Sequence, residues 1–173
     1  MPPSSILKDC SEFLSKAGNN PLYKLLPTGG EGFRKIKIRK KNRHEHSFER
    51  YFDMAFGHQY KDLRLRSMIA QSKTPDNNNP LLEPFYVFPI NGFRILYNQQ
   101  IEDYNSYIKT LEGILQNTGS MEQLLKNLFE YAYVEGEIVD AIKSGSDILI
   151  YDIPYYYAVR KSLIQNYDNF ISY

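Results

Sequence analysis

EPFYVFPINGFRILYN, residues 83–98, sets two aromatic and β-branched runs on either side of Asn91-Gly92. Such runs read as strands. Asn-Gly between them is the strongest short signal for a two-residue hairpin turn, because that turn needs φ > 0 at both central positions. Pro89 interrupts the first run just before the turn, and Arg94 follows just past it. The stretch therefore predicts a central hairpin over 83–98, and the rest of the fold is read outward from it.

Upstream, KTPDNNNP (73–80) is a plain loop, and LRLRSMIAQS (63–72) predicts a strand. SFERYFDMAFG (47–57) predicts a helix with Phe48, Tyr51, Phe52, Ala55 and Phe56 on one stripe. GFRKIKIRKKNR (32–43) alternates and predicts a strand with one buried face (Phe33, Ile36, Ile38) and one basic face. PLYKLLP (21–27) predicts a short strand. Residues 4–17 predict an amphipathic helix that carries Ile6, Leu7, Cys10, Phe13, Leu14 and Ala17, with Gly18 as its stop. Downstream, helices are expected over 101–116, after a Ser120–Gln123 capping box, and over 135–143. DILIYDI (147–153) predicts a strand, and the tail 154–173 predicts a strand or turn at PYYYAV followed by a helix.

Short strands mixed with helices, without a regular βαβ rhythm, argue for an α+β fold. The expected architecture is one domain over 1–173 with a small split or mixed sheet, the hairpin at its centre and amphipathic helices packed around it. Aromatic residues make up 14% of the chain, enough to build a core. A net charge of +1 supplies no global field toward nucleic acid or membrane, so any such contact needs a local patch. Cys10 is the single cysteine, which rules out an internal disulfide and suits a reducing compartment. The start MPPSSILKDC lacks a basic region followed by an apolar one, and no apolar stretch is long enough to span a bilayer. A cytoplasmic protein without a membrane partner is expected.

The densest chemical signal is basic. Arg34, Lys35, Lys37, Arg39, Lys40, Lys41 and Arg43 fall within ten residues, a charge density that suits phosphates or an acidic partner. His44-Glu45-His46 lacks a third ligand at a zinc-like spacing, so no metal site is expected. There is no Walker A loop, dinucleotide fingerprint or G-x-S-x-G elbow. Asp147 opens a strand at the rim of the sheet, where a carboxylate can act on a bound ligand.

The order of segments resembles small phage-encoded proteins with an ADP-ribosyltransferase-like architecture. PLYKLLP, RKIKIRKKNR, FDMAFG, RLRSMIAQS, VFPINGFRILYN and AIKSGSDILIY follow in that family's order over about residues 21–152. The resemblance implies an NAD cofactor and transfer of ADP-ribose to a host protein or nucleic acid in the cytoplasm of an infected cell. It also implies roles for three residues. Lys24 would hold NAD where arginine is usual, Ser72 would shape the nicotinamide pocket, and Asp147 would stand in for the usual glutamate that stabilises the ribosyl cation. Lysine cannot fork onto a phosphate as arginine does, and aspartate is one methylene shorter than glutamate. A second reading stays open beside the enzyme: a non-enzymatic anti-defence or host-takeover effector that binds a host protein or nucleic acid through the basic strand 34–43.

Overall fold

The computed structural model describes residues 3–38, 53, 63–98, 109–110, 113, 116–117 and 133–172. In chain order its elements are α1 (Ser4–Asp9), α2 (Ser11–Ala17), β1 (Leu22–Pro27), β2 (Phe33–Lys37), α3 (Leu63–Arg66), β3 (Met68–Gln71), β4 (Leu82–Pro89) and β5 (Arg94–Asn98). There follow β6 (Tyr133–Glu135), α4 (Ile138–Ser144), β7 (Asp147–Tyr151), β8 (Tyr155–Arg160), a 3-10 turn (Lys161–Leu163) and α5 (Tyr167–Ile171). The protein is α+β. Among the described residues, eight strands form one sheet in the order β2-β8-β4-β1-β3-β7-β5-β6, and every pairing there is antiparallel. The sheet is thus larger than expected and not mixed.

The central hairpin does not form. β4 pairs with β1 and β8, whereas β5 pairs with β6 and β7. The turn itself is where the sequence put it, with Gly92 at φ 84. Its polar groups go elsewhere. The Asn91 N–H donates to the Asp9 carbonyl at 2.7 Å, and the Glu12 N–H donates to Asn91 Oδ1 at 2.9 Å. The Gly92 N–H donates to Glu12 Oε2 at 2.7 Å. Pinned to α1 and α2, the turn moves the chain from one half of the sheet to the other instead of closing a ladder.

That connection bends the sheet. In a flat sheet β4 and β5 would lie four strand spacings apart, about 19 Å. Five Cα steps from Pro89 to Arg94 span at most about 18 Å even when fully stretched, and a turn occupies part of them. The sheet must therefore fold over. Its weak seam is β1–β3, which share the single register pair Tyr23–Gln71 where other neighbours share three to six.

Folding over explains the burial. β4 from Phe85 to Pro89 and β7 along its whole length are buried without alternation, as strands covered on both faces are. One apolar cluster draws on both halves: Leu22, Phe85, Val87 and Ala158 from one, Ala70, Ile95, Ile148 and Ile150 from the other. On the α1–α2 stripe, Ile6, Cys10, Phe13 and Ala17 are buried as their spacing predicts, though the helix breaks at Cys10. The Cys10 thiol points at the Phe88 carbonyl, 3.5 Å away, and the Phe13 ring meets Phe88 and Phe93 edge-on.

Three boundaries differ from expectation. Residues 63–66 form a helix before β3 begins, since a short alternating apolar-basic run satisfies either period. Residues 133–135 pair as β6, and α4 begins after Gly136. β7 ends at Tyr151 because Asp152 takes φ 61 and Pro154 follows. Arg39, Lys40, Lys41, Arg43, His44-Glu45-His46, the Ser120–Gln123 capping box and most of the helices expected over 47–57 and 101–116 lie outside the described residues.

Candidate functional site

β2 lies at one edge of the sheet, with β8 as its neighbour. The register sets Phe33, Lys35 and Lys37 opposite Val159, Tyr157 and Tyr155. Directly opposed residues share a face, so the two lysines stand on an aromatic floor. Lys35 Nζ sits 3.7 Å from the Tyr155 ring centroid and 5.8 Å from that of Tyr157. Phe33 stacks on Tyr157 at 5.5 Å and 15°. Phe33 therefore belongs to the lysine face, as the period of 2 requires, and not with Ile36 and Ile38, with which its apolar character grouped it.

Beneath the floor is a carboxylate. The Tyr157 hydroxyl donates to Asp9 Oδ2 at 2.7 Å and the Tyr155 hydroxyl at 3.4 Å. Burial, then the bond to Asp9, pushes the Tyr157 phenol well above its ordinary pKa. This half-buried carboxylate accepts from both phenols, whose rings support the Lys35 ammonium through their negative faces. Lys35 and Lys37 remain exposed.

Arg34 points the other way and is committed internally. Its Nε donates to the Glu31 carbonyl at 2.7 Å, and its Nη2 donates to the carbonyls of Pro27 and Gly29 at 2.9 and 2.5 Å. Its guanidinium lies 4.5 Å over the Phe85 ring. Arg160, on the neighbouring strand, donates to the carbonyls of Thr28 and Gly30 and pairs with Glu83 at 2.8 Å. Two guanidiniums thus hold the 28–32 loop. Of the seven basic residues singled out by sequence, Arg34 is structural, Lys35 and Lys37 are presented to solvent, and four lie outside the described residues.

Lys24 on β1 and Asp147 on β7 flank β3, and Ser72 lies one residue past its end. Tyr23 lies across from Gln71, and Gln71 across from Asp147. The three therefore fall within about two strand spacings, about 10 Å. Alternation nevertheless divides them. Asp147 shares the face of Tyr23 and Gln71, whereas Lys24, one residue on, turns to the opposite face. Lys24 Nζ donates to the Ile69 carbonyl at 2.9 Å. The Ser72 hydroxyl is buried without a hydrogen-bond partner, and Asp147 is 6% exposed. A cavity of about 310 Å³ lined by Ile38, Arg66, Asp152 and Ile153 opens at the far end of β7 from Asp147, so these three residues do not share it.

Sequence reasoning missed Tyr155 and Tyr157. Their period-2 spacing was visible, but only the β2–β8 pairing puts them beneath Lys35. Among the described residues, no group of three or more His, Cys, Asp or Glu side chains is arranged to hold a metal ion. No helix among them is long and apolar enough to cross a membrane. No family model, curated protein or solved structure matches the chain.

Proposed function

We propose that this protein works by binding a negatively charged macromolecule along β2, through Lys35, Lys37 and the basic run that continues to Arg43. The observation that carries the reading is the exposure of both lysine side chains on an edge strand, with an aromatic floor that holds Lys35 upright. Exposed ammonium groups on a sheet edge are available to a partner's carboxylates or phosphates, with which they form strong charge-assisted hydrogen bonds. In the setting implied by the resemblance, the partner is a host protein or nucleic acid. The test is the double variant Lys35→Gln, Lys37→Gln, assayed against polyglutamate and a single-stranded oligonucleotide by fluorescence anisotropy at low and physiological salt. Binding should weaken by about tenfold and its salt dependence should flatten. Wild-type affinity in the double variant for both probes would exclude the site.

A second reading has its own observation. Ser72, just past the end of β3 and so between the strands that carry Lys24 and Asp147, has a buried, unpartnered hydroxyl. On this reading the seam takes NAD, as in an ADP-ribosyltransferase-like protein, with Asp147 as the carboxylate that stabilises positive charge on the ribose. It predicts NAD consumption or transfer of labelled ADP-ribose that the near-isosteric Asp147→Asn abolishes. Equal turnover by wild type and variant would leave binding alone.

A further inference from the structure

We propose that β2 recruits its partner by strand addition, taking an extended acidic peptide with the pattern acidic-x-acidic-x-aromatic as a ninth strand. This rests on the binding reading above and names its occupant. The backbone direction of β2 follows from its two ends. The Arg160 N–H donates to the Gly32 carbonyl at 2.7 Å, and the Ile38 N–H donates to the Pro154 carbonyl at 2.8 Å. In an antiparallel ladder alternate residues turn both main-chain groups to the same neighbour. Gly32, Arg34, Ile36 and Ile38 therefore face β8, and the N–H and C=O groups of Phe33, Lys35 and Lys37 face outward. Among the described residues no strand pairs with β2 on that side.

The residues that offer the open ladder are thus the same residues whose side chains form the lysine face. An antiparallel strand docked there would place one acidic residue opposite Lys37, a second opposite Lys35 two positions on, and an aromatic or apolar residue opposite Phe33 two positions further. Opposed residues share a face, and opposite charges there attract. The intervening residues would project on the side of Arg34 and Ile36.

Charge also selects against other occupants. Edge lysines are a common guard against indiscriminate strand pairing. A second copy of this chain pairing β2 with β2 would set Lys35 against Lys35 or Lys37, a repulsive register. An acidic strand removes that barrier, so specificity arises from the guard itself. Nucleic acid would answer the lysines but would leave the ladder unused.

The experiment uses the full chain and three labelled probes: a peptide with Glu-x-Glu-x-Phe between valines and threonines, its Lys-for-Glu counterpart, and a single-stranded oligonucleotide. The Glu peptide should bind and the Lys peptide should not. Amide exchange at Phe33, Lys35 and Lys37 should slow on binding, while Arg34 and Ile36 stay unchanged. Lys37→Gln, which removes charge but keeps the outward donor, should weaken binding about twofold to fivefold. Lys37→Pro removes the donor too and breaks no bond to β8, a substitution an edge strand tolerates. It should weaken binding at least about tenfold.

Strand addition is overturned if the Glu peptide does not bind, if the three outward amides gain no protection, or if Lys37→Pro binds as well as Lys37→Gln. Should Lys37→Pro not fold, wild-type amide exchange decides. Oligonucleotide binding that is lost in Lys35→Gln, Lys37→Gln, with no protection of the three amides by any probe, keeps the basic-strand reading and discards strand addition. Unchanged binding in that double variant discards both.

Discussion

Tyr157 shows how one side chain serves two roles. Its ring supports Lys35 and its hydroxyl satisfies Asp9. Tyr157→Phe keeps the ring and removes the hydrogen bond to a carboxylate, which should cost about 1–3 kcal/mol in urea unfolding. A change near zero would mean that water replaces the phenol at Asp9. A related expectation concerns alkaline pH. Burial pushes the Cys10 thiol up to about 12 and the Tyr156 phenol up to about 12, and it raises Tyr157 and Tyr167 as well. In the unfolded chain these groups ionise at their ordinary values of 9.0 and 10.0. Folded-state values above the unfolded ones mean that the unfolded chain releases protons first. Their contribution to stability is therefore complete below about pH 9 and is lost as pH rises toward about 12. The urea midpoint should hold near neutrality and fall steadily through that window, with tyrosinate absorbance rising as far-UV dichroism is lost. A midpoint unchanged to about pH 11 would contradict this.

At the scale of elements, the Asn91-Gly92 turn is the instructive case. Gly92 at φ 84 occupies backbone space that a side chain disfavours, and nothing crowds a Cβ there, so the strain is conformational alone. Gly92→Ala should destabilise by about 1 kcal/mol or more. Because the Gly92 N–H bonds Glu12, part of the loss should appear as loosening of α2 against the turn, read as faster amide exchange at Glu12 and Gly92. The turn was legible because its glycine is a local requirement. Its consequence was not. Whether two runs beside a turn pair with each other depends on which strands they meet, and here the turn's donors and acceptors were claimed by α1 and α2. The α1–α2 stripe was legible for the opposite reason: its period alone selects the buried face. Phe33 was grouped with Ile36 and Ile38 by its apolar character, although the period of 2 alone sets residues 33, 35 and 37 on one face; the stacking on Tyr157 shows what that aromatic does among the lysines.

For the molecule as a whole, Phe88 ties the layers together. It is fully buried, meets Phe13 edge-on, stacks on Tyr167 at 6.2 Å and 14°, and lies 5.9 Å from Phe170. Phe88→Ala should cost about 3–5 kcal/mol, a large share of the about 5–15 kcal/mol that holds a typical domain folded. The folded-over sheet also makes a cooperative demand. The shared cluster draws on both sides of a seam that is itself joined by one register pair. Far-UV dichroism and tyrosine fluorescence should therefore report one coincident transition in urea. Two separated transitions would show that each half of the sheet holds its own core.

The amino-acid sequence by itself determined which segments are β-rich, where the chain turns, which stripe of the first helices is buried and where positive charge concentrates. These properties follow from side-chain period and backbone preference over a few neighbouring residues. Only the tertiary structure decided that the strands beside Asn91-Gly92 part company, that β8 lays its tyrosines beneath Lys35, that Arg34 turns inward and that Asp147 faces away from Lys24. Each of these depends on strand order and register, which are set by contacts between residues far apart in the chain, and a one-residue change of register would send every such side chain to the other face.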